Sequence, residues 1–144
     1  MIDERSLQEK ARKYIVCFNG QCTQREHCLR WLVGQHVPET LFAATVVNPR
    51  FIATAGGECP AYRNDQPQRI HVGMVHFYDA MPGAMEKTIK ARLIERYSRV
   101  VYYQYRRGER PITPEVEQEI ERTCRECGWT APLAFDSCAD EVLW

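Results

Sequence analysis

Three kinds of signal are missing from this 144-residue chain. The first is an excess of charge. Nineteen Lys and Arg balance 19 Asp and Glu, so the formal net charge is +0. A protein that grips nucleic acid over much of its surface carries a basic balance, so that class is not favoured. The second is a long hydrophobic run. The longest near-apolar stretch, Leu41 to Val47, is far shorter than the roughly 20 residues that span a bilayer. The start, Met-Ile-Asp-Glu-Arg, has neither the basic nor the apolar region of a secretory signal. No membrane association and a cytoplasmic location are therefore expected. The third is an enzyme motif. There is no P-loop, no dinucleotide-binding glycine pattern and no G-x-S-x-G. No carboxylate pair stands out as an acid/base couple, and His36 falls in a loop. His71 and His76 have opposite parity in a predicted strand and so point to opposite faces. A non-enzymatic protein is expected.

The chain holds 44% hydrophobic and 26% charged residues, the balance of a globular protein. Its length fits one domain, taken as residues 1–144, with enough chain to bury a core. It contains no internal repeat and no low-complexity segment.

Hydrophobic spacing places the elements. Leu7, Ala11 and Tyr14 predict a helix over 4–15. Asn19-Gly20 is a turn pair. Thr23-x-x-Glu26 reads as a capping box opening a helix over 24–33. Residues 41–47 read as a strand ending at the Asn48-Pro49 turn, with 51–55 as its partner. Ile70 to Tyr78 reads as a second strand. Met85, Ile89, Leu93 and Tyr97 mark a helix from Ala84. Residues 99–107, with Ser98 as a cap, fit a helix or a strand equally. Thr113-Pro114 is an N-cap followed by Pro at N1, opening a helix over 114–127. Trp129, Leu133, Phe135 and Trp144 suggest a tail that packs back. Helices, then strands, then helices predict an α+β fold, a small antiparallel sheet packed with N-terminal and C-terminal helices.

Seven cysteines are an odd number, and without a secretion signal a disulfide framework is not expected. Cys17, Cys22, Cys28 and Cys59 follow C-x4-C-x5-C-x30-C. Four thiols are what tetrahedral zinc requires. The Asn-Gly turn would fold the first two toward one point, and a place near a helix N-terminus would favour a thiolate at Cys28. Zinc ribbons use C-x2-C pairs, which this region lacks. Cys59-Pro60 echoes the last ligand of ferredoxins, so an iron–sulfur cluster is the second reading. The third is that the thiols are small buried hydrophobes. Cys124 and Cys127 form a C-x2-C at a helix C-terminus, where the dipole disfavours a thiolate, and share a stripe with Val116 and Ile120. They read as core rather than redox residues, and Cys138 gives them no evident fourth ligand.

Residues 86–110 hold eight Lys and Arg against three Glu, with four tyrosines between them. Arg99, Tyr102, Tyr103, Tyr105, Arg106, Arg107 and Arg110 are the candidate partner contacts. The partner is expected to be a protein or another anionic species. Nucleic acid, bound through phosphates and stacking, is an alternative that the neutral balance disfavours.

Several motifs carry a resemblance. They are Cys17-x4-Cys22-x5-Cys28-Leu29-Arg30, Asn48-Pro49-Arg50, Cys59-Pro60-x-Tyr62, the run Tyr102 to Pro111 (YYQYRRGERP) and Phe135-Asp136. Together they resemble a family of small Bacteroidales proteins known only as a domain of unknown function. The resemblance spans nearly the whole chain. It implies one compact domain, and it brings no activity. The expectation is a binding or adaptor domain with a structural four-cysteine zinc site and an arginine/tyrosine contact segment. A thiol redox or iron–sulfur sensor is the competing class, and a metal-free interaction domain is the third.

Overall fold

The computed structural model describes residues 2–54 and 56–144. Among them are six α-helices and one two-stranded antiparallel sheet, an α+β fold as expected. The chain divides into two compact units. One comprises residues 1–67 and 142–144, the other residues 68–141.

In the N-terminal unit, α1 (Glu4–Lys10) starts at Asp3, whose carboxylate accepts the Ser6 amide. Leu7 and Ala11 are buried with Val16 and Val33, and Tyr14, Leu32 and Trp144 close around them. The capping box at Thr23 does not form. Arg25–His27 is a single 3-10 turn, and Cys28 is extended (φ −109°, ψ 116°). Pairing with a distant segment is the reason. Leu29 N–H donates to Arg63 O, and Asp65 N–H to His27 O, so Cys28 faces Asn64 in an antiparallel bridge. Helix α2 (Leu29–Gly34) begins only after that bridge.

The predicted strand pair at 41–47 and 51–55 is not present. Only Val46 bridges, to Val16 in parallel. Residues 49–54 form α3 (Pro49–Thr54) instead, and Ala55 lies outside the described residues. The Asn48 side chain accepts the Arg50 amide, so Asn-Pro here is an N-cap and N1 pair rather than a turn after a strand.

In the C-terminal unit, β1 (Gln68–Val72) pairs with β2 (Ser137–Glu141), with Ile70 opposite Ala139. The Arg69 guanidinium spans the pair with two bonds to Asp140, at 2.9 and 3.1 Å. Strand β1 stops earlier than predicted because Gly73 turns the chain at φ +83°. Beyond it, the Asp136 carboxylate accepts the Val75 and His76 amides at 2.9 and 3.1 Å. The following helices are α4 (Gly83–Tyr97), α5 (Arg99–Arg106) and α6 (Pro114–Glu126). The ambiguous 99–107 segment is helical. Ser98 Oγ caps it by accepting the Val101 amide, and Tyr102 and Tyr105 fall on one buried face. Thr113 caps α6 as expected, its hydroxyl accepting the Val116 amide. Met74, Phe77, Tyr78, Ile89, Leu93 and Ile120 are among the core residues, and Trp129, Leu133 and Phe135 pack against them.

The two units differ in how much apolar surface they bury. Among the described residues, the N-terminal unit buries Leu7, Ala11, Val16, Cys28, Leu29 and Val33, whereas the C-terminal unit buries twelve such side chains. Ile15, Phe18, Phe42, Val46 and Phe51 stay exposed in the N-terminal unit. A unit of this size with so small a core is one that metals or disulfides commonly hold together.

Candidate metal centre

Cys17, Cys22, Cys28 and Cys59 all line one cavity of ≈ 40 Å³ in the N-terminal unit. They reach it from separate backbone segments. Cys17 follows the Val16–Val46 bridge, and its N–H donates to Arg30 O at 2.9 Å. Cys22 closes the Asn19-Gly20 turn, its amide donating to Asn19 O at 3.2 Å. Cys28 occupies the N-cap position of α2 with no side-chain cap bond. Cys59 opens a turn in which the Tyr62 amide returns to its carbonyl at 3.0 Å. Cys28 is buried and the other three are half-buried.

The other walls are Trp31, Ile52, Ala61 and Tyr62, with Asn19 at the turn. Arg25 and Arg30 also line the cavity, and both are pinned by backbone carbonyls. Arg25 donates to Gly20 O and Cys22 O, and Arg30 to Ala61 O at 2.7 Å and Ile15 O at 2.9 Å. These bonds tie the backbone around Cys17, Cys22, Cys28 and Cys59 together. The Asn19 amide donates to Cys17 Sγ at 3.5 Å, the kind of contact that stabilises a sulfur carrying charge. His27 is exposed, does not line the cavity, and faces Asp65 at 3.3 Å.

Four cysteines are a donor set of the kind a thiophilic ion takes. All four sulfurs are free thiols. Among the described residues, no three His, Cys, Asp or Glu side chains are grouped tightly enough to hold an ion.

The arginine/tyrosine segment divides by function within the C-terminal unit. Tyr102 and Tyr105 are core residues, at 1% and 6% exposure, and Tyr102 shares a buried hydroxyl–hydroxyl bond with Tyr78 at 2.9 Å. Arg107 makes two bonds to Glu109, at 2.8 and 3.1 Å. Arg110 bonds the Gln104 side chain at 3.0 Å and lies 5.9 Å from the Tyr105 ring centre. The Glu109 and Arg110 amides both return to Gln104 O, and Gly108 sits at φ +76°. The distinctive Arg-Arg-Gly-Glu-Arg-Pro run is therefore the stop of α5. Arg99 is exposed, whereas Tyr103 and Arg106 are half-buried, Tyr103 at the edge of the core and Arg106 with its guanidinium 5.9 Å from the Tyr78 ring centre. Lys90, which the sequence offered only as one basic residue among many, joins them with its Nζ 5.5 Å from the Tyr103 ring centre.

The whole sequence matches a family of unknown function (DUF6078), over residues 1–144. The chain belongs to that family. No curated protein and no solved structure matches it. The family assigns no activity, so any function has to come from the residues themselves. No helix among the described residues is long and apolar enough to cross a membrane.

The C-terminal cysteines divide in the same way. Cys124 is fully buried in the core and Cys127 packs against it. Burial, reinforced by Cys127 and Glu121, pushes the Cys124 thiol up to about 11. Cys138 is exposed on β2. Cys138 is expected to be alkylated by iodoacetamide near neutral pH while Cys124 stays unmodified, as peptide mass mapping would show. Alkylation of Cys124 at a comparable rate would contradict the core assignment. Because folding raises this pKa, the stability it contributes is complete below the ordinary thiol value of 9.0 and is lost as pH rises through about 11.

Proposed function

We propose that this protein is a non-enzymatic binding or adaptor domain whose N-terminal unit is held together by a structural zinc ion on Cys17, Cys22, Cys28 and Cys59. The observation that carries the reading is that Cys17, Cys22 and Cys28 line one small cavity together with Cys59, which comes from 31 residues further along the chain, in the unit with the smaller core. Zinc would supply the cross-link that burial there does not. The outer face of α5 is the contact surface in this reading.

An iron–sulfur or redox role on the same thiols is the second reading. The observation that favours it is the same four-thiol donor set, which serves a cluster as well as a single ion. Metal analysis and visible absorption of anaerobically purified protein separate the two. One zinc per chain and no visible band are expected, with the zinc absent from Cys17→Ser/Cys22→Ser protein. Iron with a visible band would move the site to redox chemistry, and no metal would leave the thiols as packing residues.

A further inference from the structure

Arg99, Tyr103 and Arg106 stand at i, i+4 and i+7 of α5, so they share one helical face. The buried tyrosines, Tyr102 and Tyr105, anchor the helix from its other side. Lys90 of α4 lies over the Tyr103 ring. Several other cations of this unit are spent on carboxylates, Arg92 on Glu126, Arg96 on Glu119 and Arg107 on Glu109, while Arg110 is held by the Gln104 side chain. Among the described residues, Lys90, Arg99 and Arg106 enter no ion pair, although the chain as a whole is neutral. Three unpaired cations around one phenol are thus left by the packing of two rigid helices.

Their combined field acts on that phenol. Lys90 beside the Tyr103 hydroxyl lowers its pKa, and Arg99 and Arg106 add to the effect. The same field would stabilise an anion placed there. A phenolic donor with guanidinium and ammonium groups is the donor set that binds phosphoryl oxygens, where arginine offers paired N–H groups. The three cations form a short cluster on α5 and its neighbour α4, with Arg106 also lying 5.9 Å from the Tyr78 ring centre, and a cluster this short fits a compact dianion better than a run of phosphodiesters.

We propose that Lys90, Arg99, Tyr103 and Arg106 form a binding site for a phosphate monoester. This rests on the outer face of α5 being the contact surface, and is independent of the zinc site. Four probes test it: inorganic phosphate, a phosphoserine peptide with its unphosphorylated control, polyglutamate, and oligothymidine. The readout is the Tyr103 ring resonances in NMR, with chloride at matched ionic strength as reference.

Saturable shifts with phosphate are expected, with a Kd of roughly millimolar order, weakened about tenfold in Arg99→Ala/Arg106→Ala protein. Bound phosphate also raises the Tyr103 titration midpoint, which a purely structural role of these residues would not produce. Tighter binding of the phosphopeptide than of phosphate assigns the group to a modified partner protein, and equal binding assigns it to a small ion. Both support the site. Phosphate acting no differently from chloride overturns it. If polyglutamate still binds wild-type protein but not the double variant, the contact surface survives without phosphoryl specificity. If oligothymidine alone binds, the face belongs to nucleic acid. If nothing binds, the contact surface fails as well.

Discussion

Gly73→Ala is expected to lower the stability of the C-terminal unit by about 3 kcal/mol. Gly73 has φ +83°, where an alanine is strained, and its added Cβ would run into the Asp136 carboxylate. That carboxylate cannot yield without loss, because it holds the Val75 and His76 amides and thereby turns the chain away from β1. Two penalties act together: a backbone conformation that suits glycine, and displacement of a charged acceptor from two donors. They separate in a double-mutant cycle. In an Asp136→Ala background the collision with the carboxylate is gone and a tight contact with the residue-136 Cβ at 3.1 Å remains, so Gly73→Ala keeps mainly the backbone part, about 1–2 kcal/mol. Urea denaturation of the four proteins measures this. A Gly73→Ala cost below about 1 kcal/mol would mean that the loop rearranges freely.

The second large effect concerns Cys28→Ser. Cys28 is the N-cap residue of α2, and its side chain makes no cap bond. Serine is among the best N-cap residues, so in a metal-free unit the substitution changes stability by no more than about 1 kcal/mol, and in either direction. With Cys28 as a zinc ligand the outcome is opposite. Structural zinc contributes roughly 10–16 kcal/mol of apparent binding free energy, as much as the whole stability of an ordinary domain. The variant is then expected to lose amide protection at Val16, Leu29 and Val33. Ile89, Leu93 and Ile120 should keep theirs. Hydrogen exchange resolved by residue reads both sets. Retained protection at Leu29 and Val33 would remove Cys28 from the ligand set.

The elements legible in the sequence are those whose signal is local. Met85, Ile89 and Leu93 repeat at helical spacing, and Thr113-Pro114 carries its own start signal, so α4 and α6 could be read directly. Cys28 could not be placed this way. Its extended backbone comes from pairing with Asn64, which no short-range pattern announces, and that bridge overrides the capping box at Thr23. Residues 41–47 have strand-forming side chains yet only one bridging partner, so propensity alone misplaced a strand there. Strand β2, Ser-Cys-Ala-Asp-Glu, has little strand propensity; it forms through ladder bonds to β1 and the Arg69–Asp140 pair.

The candidate site was legible as a set of residue types and not as a place. Thiol spacing picked out Cys17, Cys22, Cys28 and Cys59, and the fold brings them around one cavity. The arginines that stitch that cavity, Arg25 and Arg30, gave no signal, since their partners are backbone carbonyls. In the basic segment, composition could not separate arginines that close a helix from those left facing outward. That distinction depends on Glu109 and Gln104, which fold back onto Arg107 and Arg110.

The most direct test of the account is X-ray absorption at the zinc edge of protein purified without added metal. Four sulfur neighbours at about 2.3 Å around one zinc per chain are predicted, falling to fewer sulfurs or no zinc in Cys59→Ser protein. A zinc shell of nitrogen and oxygen, or a fully folded N-terminal unit containing no zinc, would contradict it.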